Sequence, residues 1–599
     1  MDTTAYRTGG PYGEAAGVDG RSSGPSDCDV LVVGSGAGGL SAAVTAAHLG
    51  LRVIVAEKSG VFGGTTAYSG GWLWIPNAPH AVAAGKAESP DAARSYLRHV
   101  LGNRYDEAMI GGYLDCAPRM VDFFEQNTEV RFNPGSGVPD FHGDIPGAAT
   151  GWRSVVAAPY DGRELGPLIS RLCPPIPETT FLGMSIASGV DMRMFLTATR
   201  SAKAFGYVAR RLMRHLRDLA LYRRGMHLVN GNALVARLLR SAADKGVNLW
   251  TGAAVRELIR ADGRVVGAIV ETSAGVTEVR ARRGVVLATG GFPHDARRLN
   301  DMLPHVQAGT LHYSAASDGN SGDGLRLAEC VGAQVSDSQA HAAAYAPVSL
   351  VPRPDGSLGR FPHLVERGKP GIIAVNATGK RFVDEGGPYH DYVREMIAAT
   401  PEGQPAVSWL ICDHRFLRRY GLGAVKPAPV PFRRWLANGY LTSGGTIEEL
   451  AHRCGIDVAG LSATIRTFNR HAERGEDPEF HRGTTPYRKA QGDPDHRPNP
   501  CLAPITRAPF YAVKVMPGSL GTFAGIRTDG RGRVLDKRGD PIPRLYAVGN
   551  DMNSIMGGHY PSGGITLGPA MTYGFLAAET IAGSDVMECG NDGRKEDAV

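Results

Sequence analysis

Three glycines and a glutamate near the start of the chain have the residue types and spacing of a nucleotide-phosphate site. Gly34, Gly36 and Gly39 follow the apolar run 29–33 and open an Ala-rich stretch expected to be helical. Gly34 permits a tight turn, Gly36 lets the backbone approach a pyrophosphate, and Gly39 allows helix and strand to pack closely. A second apolar run ends at Glu57, whose carboxylate can accept both ribose hydroxyls. The order of these elements predicts a dinucleotide site, whereas an isolated glycine motif would indicate only a turn.

Two later strand patterns favour FAD over NAD. The apolar run 285–287 ends in a turn of small residues, and the run 545–548 ends in Gly and Asn. A chain that leaves an FAD domain and returns to complete it needs such a closing strand, which a simple NAD dehydrogenase does not. The alternative is that both are ordinary buried strands. The cofactor contacts expected from these runs are Ala288, Thr289, Gly290, Gly549 and Asn550.

Two segments resemble the 3-ketosteroid Δ1-dehydrogenases, which are FAD enzymes within the wider fumarate reductase flavoprotein group. Residues 63–76 read GGTTAYSGGWLWIP, and residues 549–570 contain the loop YPSGG at 560–564. The resemblance covers about residues 27–582, with 376–385 as an intermediate landmark. It implies an α/β fold, in which a Rossmann-like FAD-binding domain of the two-dinucleotide-binding-fold type carries an inserted α+β catalytic domain.

The resemblance also implies further flavin contacts. The strand around Val255 is expected to meet the adenine through its backbone, and the helix that begins near Thr566 and Leu567 is expected to direct its N-terminal dipole at the flavin pyrimidine edge. The remaining expected contacts are Lys58, Gly64, Thr65, Thr66, Ser69 and Gly71.

Introducing a C=C bond beside a ketone requires a base for the α-proton, a polar cradle for the carbonyl oxygen, and flavin N5 as the acceptor of the β-hydride. A tyrosine, with a reference pKa of about 10, suits the base role only where its surroundings favour the phenolate. The resemblance assigns polarisation of the carbonyl to Tyr560 and Gly564. The alternative for Tyr560 is a buried phenol packed beside a glycine turn.

The sequence departs from the Δ1 pattern at several positions. Ser562 stands where those enzymes usually have Gly, and this resembles the 3-ketosteroid Δ4-(5α)-dehydrogenases, in which Tyr and Ser act together. The loop expected to supply a second catalytic tyrosine offers Phe141 and His142, and no tyrosine stands near Phe361. Tyr345 is the nearest phenol of the second domain and is therefore the candidate base.

Two other classes of function stay open. A fumarate reductase-type enzyme delivers hydride to an activated C=C, but Tyr389 stands where its proton-donating Arg is expected, and residues 558–562 hold no cation to clamp a dicarboxylate. A non-enzymatic flavin-binding role is the third class. The favoured function is desaturation of a 3-ketosteroid or related cyclic ketone, with a small apolar ketone and an electron acceptor of unspecified identity as partners.

Composition excludes several broad classes. The chain has 599 residues, of which 43% are hydrophobic, so it can bury a large core. A net charge of +6 over this length is too dilute to indicate nucleic-acid binding. The eight cysteines are scattered without a C-x-x-C pair, which predicts neither a metal site nor a disulfide framework and favours the cytoplasm. No signal peptide or transmembrane run is evident.

The expected organisation has five parts. Residues 1–26 form a flexible leader, 27–291 the N-terminal part of the FAD domain, 292–517 the catalytic domain, 518–585 the C-terminal part of the FAD domain, and 586–599 a polar tail. Residues 133–166 are rich in Gly and Pro and are expected to form a long loop. Residues 191–224 are expected to form helices rich in Arg and Lys. These cations are interpreted as a solvated face, with contact at a membrane surface as the alternative.

Overall fold

The computed structural model describes residues 26–336 and 338–588. The expected leader lies outside these residues apart from Ser26, where the first strand begins, and the expected tail lies outside them apart from residues 586–588, which end the last helix. The strands in the described part are β1 (Ser26–Val33), β2 (Val53–Glu57), β3 (Trp72–Trp74), β4 (Phe132–Pro134), β5 (Ser154–Ala157), β6 (Tyr160–Asp161), β7 (His227–Leu228), β8 (Asn248–Thr251), β9 (Ala254–Ala261), β10 (Arg264–Thr272), β11 (Gly275–Leu287), β12 (Tyr313–Ser314), β13 (Ala343–Tyr345), β14 (Val348–Pro352), β15 (Leu358–Pro362), β16 (Ile372–Val375), β17 (Ser408–Asp413), β18 (Thr442–Gly444), β19 (Phe510–Val515), β20 (Gly518–Thr522), β21 (Arg533–Leu535) and β22 (Pro541–Ala547).

The α-helices connect these strands and cover the sheets. They are α1 (Ala37–His48), α2 (Gly64–Tyr68), α3 (Pro79–Ala83), α4 (Pro90–Leu101), α5 (Glu107–Asn127), α6 (Val190–Thr197), α7 (Ala202–Tyr222), α8 (Asn230–Asp244), α9 (Ala296–Met302), α10 (Pro304–Gln307), α11 (Asp323–Cys330), α12 (Tyr389–Ala398), α13 (His414–Tyr420), α14 (Arg433–Ala437), α15 (Ile447–Cys454), α16 (Val458–Ala472), α17 (Pro486–Gln491) and α18 (Leu567–Glu588). In the part of the chain described, no helix combines the length and apolar character needed to cross a bilayer.

The largest sheet joins the two ends of the described chain. Its main path is β21-β22-β11-β1-β2-β8, and β10 and β9 extend it from β11. The central pairs are parallel: Leu31 lies opposite Ile54 on one side and Val285 on the other, and Val285 lies opposite Leu545. The strands are apolar because both faces of the sheet are covered. Because these strands run parallel, the carboxyl ends of β2, β1, β11 and β22 meet at one edge. The expected α/β FAD-binding fold is confirmed.

Helices α1 and α18 pack together on one face of this sheet. Leu40 and Val44 are fully buried, and burial of such side chains stabilises the fold by about 1.5–3 kcal/mol each. A Cβ at Gly574 would lie 2.5 Å from the carbonyl oxygen of Gly38, so the close contact between the helices requires a residue without a side chain there. The C-terminal helix is therefore part of the same core as the first βαβ unit.

The middle of the chain builds a separate antiparallel sheet with the order β16-β17-β19-β18. Residues 133–166, expected to be a loop, instead contain β5 and β6, and β5 pairs with β3 and β4. This pairing satisfies backbone groups that a buried loop would leave without partners. The segment also pairs with the C-terminal loop, because the Phe141 N–H donates to the Pro561 carbonyl at 3.0 Å.

Candidate active site

A cavity of about 1210 Å³ opens at the shared carboxyl edge of β1, β2, β11 and β22 and continues past α12 and α17. Its volume exceeds the roughly 300–1,000 Å³ of a usual small-ligand pocket. This size suits a site that takes a dinucleotide together with a second molecule. The sequence-predicted residues that line it are Gly34, Gly36, Glu57, Lys58, Gly64, Thr65, Thr66, Ser69, Gly71, Val255, Ala288, Thr289, Gly290, Gly549, Asn550, Tyr560, Gly564, Thr566 and Leu567.

The glycines of the first turn have three different roles. Gly34 has φ +103°, and a Cβ there would lie 2.3 Å from the Ala288 carbonyl oxygen. Gly36 precedes α1 without a side-chain cap, and a Cβ there would meet only Thr66 Oγ1, at 3.5 Å, so this position faces the open cavity. Gly39 does not line the cavity: a Cβ there would lie 2.2 Å from the Gly34 carbonyl oxygen, which makes Gly39 a packing residue.

Glu57 is held by the turn at the ends of β1 and β2. Its carboxylate accepts from the Ser35 N–H at 3.1 Å, the Ser35 hydroxyl at 2.6 Å and the Ser59 N–H at 2.8 Å. Burial raises the pKa of Glu57, and these hydrogen bonds act in the opposite direction. Ser35 was not singled out from the sequence, although it lies within the glycine motif. Its hydroxyl fixes the carboxylate that faces the cavity.

The next contacts come from α2 and its neighbours. Thr66 Oγ1 accepts from the Ala37 N–H at 2.9 Å, which joins α2 to the first turn of α1. Thr65 Oγ1 accepts from the Ser317 N–H at 3.0 Å and from Asn320 Nδ2 at 2.9 Å. These bonds hold the segment after Gly64 against the residues that precede α11, so this wall of the cavity is rigid on both sides.

Lys58 and Gly71 complete this wall. The Lys58 ammonium forms an ion pair with Asp323 and donates to Ser321 Oγ at 2.8 Å. Gly71 has φ +70°, and a Cβ there would lie 2.5 Å from the backbone of Asn230, so the turn after α2 requires glycine.

Asp551, which the sequence reasoning missed, joins the ends of β11 and β22. Its carboxylate accepts from the Thr289 N–H at 2.6 Å, the Thr289 hydroxyl at 2.9 Å and the Gly291 N–H at 2.8 Å. Asp551 is fully buried, and this burial raises its pKa against the effect of the hydrogen bonds. Its place directly after the Gly549–Asn550 turn was the available sequence signal.

Four aromatic rings form the wall of the cavity near the start of α18. Tyr560 stacks on Phe141 with ring centroids 5.7 Å apart, and Tyr389 meets Tyr560 edge to face at 4.9 Å. Tyr487, from α17, lies 4.4 Å from Phe141. All four line the cavity. Two phenols that the sequence did not assign to catalysis, Tyr389 and Tyr487, therefore stand beside the Phe141 that replaces an expected tyrosine.

Burial favours the neutral form of the phenols in this wall. Burial raises the pKa of Tyr560, and the neighbouring hydroxyls of Tyr389 and Thr566 act in the opposite direction. Burial raises the pKa of Tyr389 well above its ordinary value, with Tyr560 adding to the effect, and raises the pKa of Tyr487 to about 12. The hydroxyls of Tyr389 and Tyr560 are therefore adjacent and electrostatically coupled.

Gly564 follows Tyr560 on the same loop and faces the same cavity. Its φ is +98°, and a Cβ there would lie 2.6 Å from the Trp74 nitrogen. Its carbonyl accepts from the Trp74 N–H at 3.1 Å and from the Gly568 N–H at 2.9 Å, which ties the loop to β3 and to the start of α18. Glycine is thus required for this geometry.

Two sequence-predicted catalytic residues do not line the cavity. Ser562 is fully buried next to the Asp140 carboxylate. Tyr345 packs among histidine rings: His390 is stacked on it at 5.2 Å, and His305 and His341 are within 5.8 Å. These neighbours enclose the ring of Tyr345, so its role as the base stays a prediction that the cavity lining does not support.

The cavity end away from the glycine turn carries charged residues. Lys369 Nζ donates to the Gly492 carbonyl at 2.7 Å, and burial lowers the pKa of this ammonium. Arg193, from α6, pairs with Asp495 at 3.0 Å. All of these residues line the cavity. Lys369 lies outside the segments in which the sequence suggested cations, so a lysine at this end of the cavity was not predicted.

The residues present fit an FAD. The Gly36 position offers a backbone without a side chain, Glu57 is fixed at the strand end, and the closing turn at Gly549 completes the same edge. These features define a flavoprotein of the two-dinucleotide-fold class. The sequence profile of the family described as FAD binding domain matches residues 29–567, and the chain belongs to this family. FAD is its cofactor, as expected.

Several known proteins of similar sequence are dehydrogenases. The chain is 40% identical over 93% of its length, and 94% of the relative, to 4-oxocyclohex-2-ene-1-carboxylate 5-dehydrogenase of Sinomonas cyclohexanicum. It is 37% identical to 3-oxosteroid 1-dehydrogenase of Mycolicibacterium smegmatis, over 92% of this chain and 97% of the relative.

The crystal structure of 3-ketosteroid Δ1-dehydrogenase from Sterolibacterium denitrificans, in complex with 1,4-androstadiene-3,17-dione, matches the fold with a TM-score of 0.85. Its identity is 34%, and the match covers 93% of this chain and all of that one. The resemblance stated from the sequence is confirmed, and the protein is an FAD-dependent dehydrogenase.

Proposed function

We propose that this protein introduces a C=C bond next to the carbonyl of a cyclic ketone. The observation that carries the proposal is the pair of phenols Tyr389 and Tyr560, which meet in the cavity wall beside Gly564. Removing an α-proton while the carbonyl oxygen gains negative charge requires a proton acceptor at the α-carbon and a hydrogen-bond donor at the neighbouring carbonyl oxygen. These two adjacent hydroxyls, one from α12 and one from the C-terminal loop, can serve those two atoms.

We assign carbonyl polarisation to Tyr560 and Gly564, and proton abstraction to Tyr389. Tyr560 and Gly564 share one loop, so a hydroxyl and a backbone N–H of that loop can act on one oxygen. Tyr389 belongs to the segment 292–517, which we propose as the catalytic domain. Burial raises the pKa of Tyr560, and a hydrogen bond with the Tyr389 hydroxyl acts in the opposite direction. A proton can pass along this bond between the two hydroxyls. FAD, when bound, supplies the acceptor for the β-hydrogen.

The binding residues have separate tasks in this proposal. Gly36 and the first turn of α1 hold the pyrophosphate, and Glu57 accepts the ribose hydroxyls. The start of α18, at Thr566 and Leu567, directs its dipole towards the flavin. Phe141 and Tyr487 form an apolar wall that excludes water from the reacting carbons.

Two ketone classes are proposed as substrates. The crystal structure of the Sterolibacterium denitrificans relative contains a 3-ketosteroid, and the 40% identical relative acts on a ring ketone that carries a carboxylate. The second class is favoured by the buried ammonium of Lys369 in the cavity wall, because a carboxylate there would form a charge-assisted hydrogen bond. We further propose a cytoplasmic location. In the described residues, seven cysteines are unpaired.

The decisive experiment is anaerobic titration of the purified flavoprotein with androstenedione, its 5α-reduced form, 4-oxocyclohex-2-ene-1-carboxylate and cyclohexanone. We expect one of the ketones to bleach the visible flavin band, and NMR of the product to place the new double bond beside the carbonyl. If every ketone leaves the flavin oxidised while fumarate or an enone reoxidises the dithionite-reduced protein, the enzyme is a reductase and the proposal is wrong.

A further inference from the structure

Helix α7 buries polar residues and exposes apolar ones. Its buried side chains include Arg211, His215 and Asp218. In contrast, Phe205, Met213, Leu216 and Leu221 are 65%, 64%, 56% and 66% exposed. A surface helix of a globular protein usually has the reverse pattern. This inversion was not visible from the sequence, which showed only an amphipathic helix with many cations.

The polar side of α7 is fixed by specific bonds, so the helix cannot simply rotate. Arg211 Nη1 donates to both oxygens of Asp191, each at 3.1 Å, and the Tyr207 hydroxyl donates to Asp191 at 2.8 Å. Asp218 accepts from the Met226 N–H at 3.1 Å. Breaking a buried Arg–Asp pair to bury the apolar side instead would leave uncompensated charge. The orientation is therefore determined by the polar contacts.

Three of the exposed apolar residues, Phe205, Met213 and Leu216, form one stripe, and Leu221 lies at its edge on the side of Arg210 and Arg217. Phe205 and Leu216 are eleven residues apart, close to three helical turns, and Met213 is three residues before Leu216. Of the thirteen large hydrophobic residues exposed in the described chain, seven lie between Leu182 and Tyr222. This concentration distinguishes the stripe from single exposed hydrophobics, which are normal on protein surfaces.

Cations accompany the stripe. Lys203, Arg210 and Arg217 are exposed on the same helix, whereas Asp218, the one acidic residue of α7, is buried. An exposed apolar stripe with Lys and Arg beside it is the pattern of a helix that lies in the interface of an anionic membrane. A partner that offers only acidic groups would satisfy the cations but would leave the apolar stripe in water, whereas an anionic bilayer covers both.

The helix lies at one end of the substrate cavity. Tyr207, from α7, lines the cavity together with Val190 and Leu196 of α6, and Val190 is itself 74% exposed. The apolar stripe and this end of the cavity wall therefore belong to the same pair of packed helices.

We propose that α7 docks the enzyme on the surface of an anionic lipid bilayer, through Phe205, Met213, Leu216, Leu221, Arg210 and Arg217. We define these six residues as the α7 surface. The helix lies in the headgroup region with the apolar stripe towards the acyl chains, and the nearby end of the cavity then faces the lipid. An apolar ketone can pass between bilayer and cavity at this end. Docking itself does not depend on the reaction proposed above.

The test is co-sedimentation of the full-length holoenzyme with vesicles of phosphatidylcholine, with and without phosphatidylglycerol. We expect binding to the anionic vesicles that falls as salt rises. The double variant R210Q/R217Q should partition about 30-fold more weakly, since each cation near the surface contributes about a factor of five. The triple variant F205S/M213S/L216S should lose binding at low salt as well. The matched control R297Q/R538Q removes two exposed cations elsewhere and should bind as the wild type does.

Folding and alternative occupants are checked in the same samples. Flavin absorbance and turnover of a water-soluble ketone should be unchanged in the α7 variants, because none of the substituted residues lines the cavity. The proposal is overturned if wild type and triple variant sediment equally. It also fails if light scattering shows an oligomer that the triple variant dissolves, since the surface is then an interface between copies. If vesicle binding appears only after removal of residues 1–25, that segment is the occupant of the α7 surface in the full-length protein, and the proposal is wrong.

Discussion

Tyr389 and Tyr560 meet edge to face with ring centroids 4.9 Å apart, although 171 residues separate them in the sequence. Both are buried and both line the cavity. Tyr487 contacts Phe141, with ring centroids 4.4 Å apart, and lies close enough to raise the pKa of Tyr389 further. The chemistry proposed for the site therefore depends on this pair.

Removing either hydroxyl should slow the reaction far more than it weakens binding. We expect Tyr389→Phe and Tyr560→Phe each to lower kcat by about 10²–10⁴-fold, the usual contribution of a positioned proton-transfer group, with FAD still bound. Stopped-flow flavin reduction with excess ketone measures this step. Tyr345→Phe is the matched control and should keep kcat within about twofold, because Tyr345 lies outside the cavity. A Tyr345 variant as slow as the other two would restore Tyr345 as the base.

The rate should increase with pH. The base must be deprotonated to accept the α-proton, and burial raises the pKa of Tyr389 well above its ordinary value. The active fraction of free enzyme therefore grows as pH rises, and kcat/KM should increase about tenfold per pH unit between roughly pH 7 and 9 without a plateau. A profile of kcat/KM for the wild type and Tyr389→Phe measures this. A wild-type profile that is flat over this range would exclude a buried phenol as the base.

Two neighbouring glycines should respond differently to substitution. Gly36→Val places a side chain in open cavity space, so we expect loss of FAD binding with little change in the thermal stability of the apoprotein. Gly34→Val adds strain at φ +103° and a clash with the Ala288 carbonyl, so it should lower stability as well. Flavin absorbance and apoprotein Tm separate the two effects. Equal Tm losses in both variants would show that position 36 is structural rather than a phosphate contact.

Removing the carboxylate of Asp551 should weaken the attachment of β22 to the end of β11. Asp551→Ala leaves the N–H groups of Thr289 and Gly291 without this acceptor, at a cost of roughly 1–3 kcal/mol for each buried group. We expect a lower free energy of unfolding in urea and weaker FAD binding. Asp551→Asn keeps one acceptor oxygen and should lose less. Unchanged stability in both variants would contradict a fastening role.

The lysine in the cavity wall should separate the two ketone classes. Lys369→Met keeps the length of the side chain and removes its charge, so we expect KM for 4-oxocyclohex-2-ene-1-carboxylate to rise by roughly tenfold, the cost of losing a charge-assisted hydrogen bond. KM for androstenedione, which has no carboxylate, should stay the same. Steady-state kinetics with both ketones provides the measurement. An equal rise for both would assign Lys369 to the structure of the cavity.

Local signals were enough to predict FAD and to select residues that lie together, although their contacts with FAD stay predictions. The glycine turn, Glu57 and the strand ends lie in short, strongly patterned segments, and the structure brings them to one sheet edge. The substrate half was harder to predict. Tyr389 was noticed only as the replacement of an Arg, and Tyr487 was not considered. Long-range packing, between elements a hundred or more residues apart in the sequence, decides which tyrosines meet in the cavity. A local sequence pattern does not predict such packing.

The α7 surface shows a second limit of sequence reasoning. Its periodicity correctly indicates a helix, but it does not reveal which side of the helix is buried. That choice depends on Asp191, a residue outside α7, which anchors Arg211 and Tyr207. The interpretation of the cations as a plain solvated face therefore left out the apolar stripe beside them.

The pairing of β11 with β22 has a consequence for biosynthesis. Strand β22 begins at Pro541 and strand β1 at Ser26. More than five hundred residues must therefore be synthesised after β1 before β22 can pair with β11 and complete the parallel sheet. Until then the edge of β11 beyond Val285 stays without this neighbour, and the nascent chain lacks Gly549 and Asp551. FAD can therefore bind only after nearly the whole chain has been synthesised. A chain truncated before β22 should lack bound FAD and should aggregate through the unpaired edge of β11.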